Sequence, residues 1–226
     1  MKLASPIVLL ALISVSPAVL AEGSIGYLDV FAVPEARLES SGGVPTVKGD
    51  GFGLKGAFTF AERYFASGEY QDVDYDDVVG DFDGDDEADR IGSSFKQYRL
   101  GLGLRQPISS QTLVFGQGEY ISAKSKADVT LSNGGDTVSG SGSVDDDGYG
   151  VHLGLRGETG GLGVTAQIGY LDISNVDGPE YEIEADYRVW EFVGLFVNYR
   201  WSDLGNDEFD SELKDFRVGA TIYFGS

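Results

Sequence analysis

Charged side chains recur at every second position along much of this chain, and any chemistry would have to be built from them. Glu182, Glu184, Asp186 and Arg188 share one spacing of two; Arg99 and Arg105 lie on one face of a second segment, and His152 and Arg156 on one face of a third. Taken together with Lys55, Arg200 and Arg217, and with Asp29, Glu69 and Glu119, they give seven cations against six anions on equivalent faces. Near-balance of sign predicts ion pairing rather than an ion-selective surface, because a charge removed from water is costly unless it is paired and hydrogen-bonded. His152 is the only histidine. Nucleophilic catalysis needs a base in reach of a nucleophile, and the sequence holds neither a Gly-x-Ser-x-Gly elbow nor a paired-histidine motif. The Gly-x-Gly patterns at Gly101/Gly103 and Gly116/Gly118 fall inside strand-like segments, so they are not phosphate loops. No catalytic residue and no organic cofactor is expected.

A second cluster is purely acidic. Asp81, Asp83, Asp85, Asp86, Glu87 and Asp89 have the close carboxylate spacing that hard cations accept. Gly84 comes too early for an EF-hand loop, and no helices flank it. The cluster reads as a solvated acidic loop, with loose Ca²⁺ or Mg²⁺ binding as the alternative. Asp145-Asp146-Asp147 and the segment from Asp203 to Asp215 add acids that the spacing places on the same external side.

The elements that position these residues are short and repetitive. Ten segments alternate apolar and polar residues, approximately 25–35, 50–60, 64–73, 94–106, 112–125, 148–157, 162–173, 181–190, 192–202 and 215–224. Period-two alternation marks strands with two unlike faces. One face of the eighth segment carries Tyr181, Ile183, Ala185, Tyr187 and Val189; the ninth presents Val193, Leu195, Val197, Tyr199 and Trp201. Short connections (61–63, 107–111, 158–161, 190–191) alternate with longer ones (39–49, 74–93, 126–147, 174–180), as in an outer-membrane barrel with tight inner turns and long external loops. Segments one and three alternate least well; without them the count would be eight. Soluble sandwiches alternate too. Two features favour lipid outside: every strand carries a similar pattern, and the polar faces hold glycine, which weakens a solvated strand but makes room inside a small barrel. Tyr70, Tyr120, Tyr170, Tyr181 and Trp201 fall at outer strand ends, Tyr64 and Trp190 at inner ends, where amphipathic rings settle at membrane interfaces. The expected fold is therefore all-β: one antiparallel, up-and-down, transmembrane β-barrel of about ten strands.

Composition agrees. Met1-Lys2, the apolar run Pro6 to Val15 and the small-residue stretch ending at Ala21 read as a signal peptide over residues 1–21, leaving 22–226 as the barrel. The sequence has no cysteine, which rules out a disulfide framework. Its 37 Asp and Glu against 16 Lys and Arg make nucleic acid a poor general partner. Interiors of about eight strands are filled by side chains, and wide aqueous channels need roughly sixteen. Ten strands therefore predict a narrow or plugged lumen.

The signal peptide, the segment Asp50-Gly51-Phe52-Gly53-Leu54-Lys55-Gly56, the run Tyr98 to Leu104 and Asp147-Gly148-Tyr149-Gly150 resemble the small outer-membrane β-barrel proteins, the OmpA-like transmembrane and porin-like families. The resemblance implies location in a Gram-negative outer membrane, contact with its lipid and lipopolysaccharide, and insertion by the barrel-assembly machinery, which reads a final strand ending in an aromatic. Ile222-Tyr223-Phe224 matches, although Gly225-Ser226 follow. OmpA-like relatives usually have eight strands. The expected role is non-enzymatic, structural or surface-interacting; the alternative is a narrow diffusion channel for small solutes.

Overall fold

A computed structural model describes residues 26–40, 46–80, 89–133, 136–206 and 210–225. The proposed signal peptide and the acids Asp81, Asp83, Asp85, Asp86 and Glu87 lie outside these residues. Ten strands follow one another: β1 (Gly26–Ser40), β2 (Val47–Phe60), β3 (Tyr64–Gly80), β4 (Asp89–Pro107), β5 (Thr112–Asn133), β6 (Asp136–Thr159), β7 (Leu162–Ile173), β8 (Val176–Trp190), β9 (Val193–Gly205) and β10 (Asp210–Phe224). Each pairs antiparallel with its sequence neighbours, and β1 pairs with β10 from Gly26↔Phe224 to Ser40↔Ser211. The sheet is thus a closed up-and-down barrel with no lateral edge through its body. Ten strands, not eight, are present, and the described residues contain no helix.

Alternation decides which side faces out. Leu100, Leu102, Leu104, Val151, Leu153, Ile183, Leu195 and their equivalents point away from the barrel and are exposed on every strand. Aromatic pairs sit at the rims of this apolar belt. Tyr70 and Tyr98 have ring centroids 4.9 Å apart, Tyr120 and Tyr149 5.8 Å, and Tyr181 and Trp201 5.3 Å, all at one end; Phe60 stacks on Tyr64 at the other. Glycine takes inward positions where a neighbour's long side chain needs the space. A Cβ on Gly169 would lie 2.0 Å from the His152 ring, one on Gly154 2.1 Å from Phe115, and one on Gly53 2.3 Å from Phe31. Gly160 and Gly161, both with positive φ, make the two-residue β6–β7 hairpin.

The connections differ from expectation. The segments read as long loops, 74–93 and 126–147, are mostly paired strand: β3–β4 pairing reaches Gly80↔Asp89, and β5–β6 pairing reaches Asn133↔Asp136. The segment 174–180 is a two-residue turn followed by strand. The asymmetry between the two ends is real, but strand overhang carries it. From Tyr120 to Asn133, β5 rises roughly 40 Å along its own axis at about 3.4 Å per residue. The segments read as loop because acids, glycines and serines crowd them and only a few apolar residues, among them Val129, Leu131 and Val138, punctuate them.

Gly169→Ala is expected to lower stability by about 1–3 kcal/mol, because a methyl there forces the buried His152 ring to move. Gly140→Ala, with nothing within 4 Å, should lose none. Urea titration of the lipid-reconstituted variants, followed by the fluorescence of Trp190 and Trp201, compares the two.

Candidate functional site

The lumen is the only enclosed part of such a barrel, and its filling is layered. Nearest the tall rim, the inward side chains are apolar. Val33, Ala36, Val73 and Tyr75 form one buried cluster, and Ile121, Leu171, Ile173 and Leu204 form another. Inward positions are normally polar when a barrel's exterior is apolar. These lie above the outer aromatic rim, where the strands stand free of the belt and pack their inner faces as a soluble sheet would.

Below this collar, charged groups fill the cross-section. Arg99 on β4 reaches across to Glu180 on β8 with both nitrogens, Nη1 to Oε1 and Nη2 to Oε2 at 2.7 Å each. Its Nη1 also donates to Glu119 on β5 (3.0 Å), and its Nε to Gln97 (2.8 Å). Ser202 Oγ donates to Glu180 Oε2 at 2.7 Å, and His152 Nε2 lies 3.2 Å from Glu180 Oε1. Glu180 is fully buried. A second knot lies beside it. Arg200 donates to Glu69 (2.8 Å), Gln71 (3.0 Å) and Asp215 (3.1 Å), and Arg217 contacts Gln71, Glu69 (3.3 Å) and Asp215 (3.2 Å). Arg217 also lies over the Phe31 ring, 5.1 Å from its centroid.

A third layer lies closer to the end where the termini meet. Lys55 on β2 binds Glu182 (2.8 Å) and Glu184 (3.5 Å) on β8, and Asn198 donates to both carboxylates. Arg156 forks onto Asp186 at 2.7 and 3.1 Å. Asp29, Lys55, Glu69 and Arg99 stand side by side in register on β1 to β4, alternating in sign. Yet Lys55 and Arg99 place their closest ion pairs across the lumen, on β8.

Of the thirteen lumen residues expected from the sequence (Lys55, Glu69, Arg99, Arg105, Glu119, His152, Arg156, Glu182, Glu184, Asp186, Arg188, Arg200 and Arg217), eleven line this lumen in hydrogen-bonded or ion-paired contact, and Arg105 and Arg188 sit at its mouth. Asp186 crosses to Arg156, whereas Arg188 beside it on β8 is exposed and covers the Tyr223 ring at 4.2 Å. Arg105 makes one long bond, 3.4 Å, to the Glu62 carbonyl. Two central carboxylates were missed. Glu180 fell within a segment read as loop because Gly178-Pro179 interrupts the pattern. Asp215 was grouped with external acids, but it is 4% exposed inside the barrel. Counting back by twos from Glu182, and from Arg217, would have found both. Asp89 is also fully buried, unlike a solvated loop acid.

Glu119, His152 and Glu180 bring ligand atoms within 4.8 Å of one another, a grouping that metals accept. The Arg99 guanidinium already holds both carboxylates, so the cluster is an ion-paired plug with a histidine beside it. On either side of Arg99 there is space. A cavity of about 380 Å³ opens toward the termini, and a smaller one of about 120 Å³ lies under the apolar collar; Arg99 lines both.

No protein-family model and no curated protein matches the chain. Solved structures do. The chain is similar to the outer-membrane protease OmpT from Escherichia coli (10% identity over 90% of this chain and 98% of that one, TM-score 0.51). It is also similar to Ail, the attachment invasion locus protein of Yersinia pestis (16%, 90% and 100%, TM-score 0.43), and to KdgM porin (13%, 89% and 99%, TM-score 0.41). These are outer-membrane β-barrel proteins, and at such identities the likeness concerns the fold alone.

Removing one partner of a buried pair costs more than removing both. Arg99→Leu or Glu180→Leu alone should destabilise the barrel by about 3–5 kcal/mol, and the double variant by much less. Urea unfolding of the three variants measures the coupling; additive losses would show that the pair is not a unit.

Proposed function

We propose that the chain is a non-enzymatic outer-membrane protein whose lumen is closed, and whose work is done by the hairpins that rise above the outer rim. Support for the membrane comes from the belt. Large apolar side chains are exposed around the whole circumference, far beyond the patches a soluble monomer leaves bare, and aromatic rings border the belt as they do at lipid interfaces. The termini share the end with the short turns, the arrangement expected of a chain delivered from the periplasm and folded by the barrel-assembly machinery.

The observation that carries the closed reading is the Arg99 guanidinium held at both nitrogens across the lumen by Glu180. Solutes cannot pass without breaking charge-assisted bonds in a site with little water, where such bonds are strong. The surface role rests on β3 to β6, which stand tallest and expose Asp76, Asp77, Asp145 and Lys126 to the outside solution. Lipopolysaccharide and the divalent ions it carries are the nearest partners for such a mixed, acid-rich surface.

A second reading, a narrow diffusion channel, has one observation in its favour: cavities approach Arg99 from both ends. Planar-bilayer recording decides between them. The folded protein should be silent, and Arg99→Gly should show discrete conductance steps. Steps from the unmodified protein would overturn the closed reading.

A further inference from the structure

The larger cavity is blind, and its polar groups are arranged by sign. In its buried part, Asp29 is 2% exposed and its Oδ1 has no hydrogen-bond partner among the described residues. Lys55 is its neighbour in register and the natural partner, but the ammonium is turned to Glu182 and Glu184. The ammonium therefore serves two carboxylates, and Asp29 is left out. A buried carboxylate oxygen left without a donor costs free energy unless something fills the place. The exposed part holds one acid, Glu158, which faces Arg156 at 3.8 Å, and two further guanidiniums. Arg105 and Arg188 line it, and neither has an ion pair among the described residues. The same cavity has an apolar wall, Phe65 and Phe115 in edge-to-face contact at 6.2 Å. A volume of about 380 Å³ is at the lower end of small-ligand sites.

We infer that the inner end of the lumen is a binding site for a small zwitterion with an apolar body, of amino-acid to dipeptide size. Its ammonium bonds the free oxygen of Asp29, its apolar part lies on Phe65 and Phe115, and its carboxylate meets Arg105 and Arg188 at the mouth. An anion alone would find the buried part repulsive, and a cation alone would be repelled at the mouth. Only a molecule carrying both charges, in this order, satisfies the orphaned carboxylate and the two unpaired guanidiniums together. The site opens toward the termini, so its ligand comes from the periplasmic side. Its blind end rests on the closed lumen proposed above; binding is read as heat and closure as conductance, so either can fail alone.

The test is calorimetric titration of the full-length mature chain in lipid nanodiscs, which leave both ends open, with glycyl-phenylalanine as the probe. Saturable heat at millimolar concentration is expected. Asp29→Asn and the double variant Arg105→Gln/Arg188→Gln should each weaken binding by about tenfold or more, the loss of one charge-assisted bond. On the unmodified protein, acetylated glycyl-phenylalanine should bind as weakly as the probe does to Asp29→Asn. Glycyl-phenylalaninamide should match the double arginine variant. These two probes keep the test decisive should a variant fail to fold. Absence of heat with the folded protein overturns the assignment, and so does equal binding of all three probes, which would mark partition into the lipid.

Discussion

A strand has two faces, and a closed barrel gives each face one environment. Once the outer face is apolar, every polar side chain of the belt must point into a lumen too narrow for bulk water. There it must find a partner or cost several kcal/mol. That constraint explains why the interior is assembled from forks and bridges. Arg99, Arg156 and Arg200 each hold a carboxylate, the amides of Gln71, Gln167 and Asn198 donate to carboxylate oxygens, and the Gln97 carbonyl oxygen accepts from Arg99. The glycines serve the same crowded interior. Gly101 and Gly150 leave room for Glu119, and Gly169 for the His152 ring, the groups that stand around Arg99 and Glu180.

The closest pairs of Lys55 and Arg99 run across the barrel rather than along the register row, and this has an energetic consequence. Neighbours in a row would stabilise only the sheet that already joins them. Lys55–Glu182 and Arg99–Glu180 tie β2 and β4 to β8, strands well separated in the ladder. They therefore fix the shape of the cross-section, which backbone hydrogen bonding alone leaves soft.

The fold was legible in the sequence to the extent that alternation was. Ten segments, their faces and most of the inner charges follow from the period of two, and a pattern of Gly opposite long side chains marks the inward face. The strand ends were not legible. Pro179 broke the pattern one residue before Glu180, the most buried acid of the network. Asp215 continued the inward series of Arg217, Gly219 and Thr221, yet acids nearby at Asp203, Asp210 and Glu212 disguised it as surface. Pairing partners were not legible at all. The distance across a barrel depends on tilt and stagger, which no local spacing encodes.

The same alternation also locates the solvent boundary. On β5 and β6 the apolar outer face runs up to Tyr120 and Tyr149; beyond Tyr120 the apolar residues of β5 change face, starting with Ile121 and Ala123. Above that line the outer face is no longer apolar, so the inner face is freed from being polar, and Ile121, Ala123, Leu171 and Ile173 turn inward to form a collar. The tall hairpins are therefore a soluble sheet grown on a membrane barrel, obeying the reverse rule. Such a sheet has an edge, because β6 from Asp136 to Asp147 pairs only with β5. Bare edges invite other strands. Here Asp145, Asp146 and Asp147 charge its base and the glycines and serines above offer little to pack against, so the edge stays open to water while its surface remains free to meet the outside.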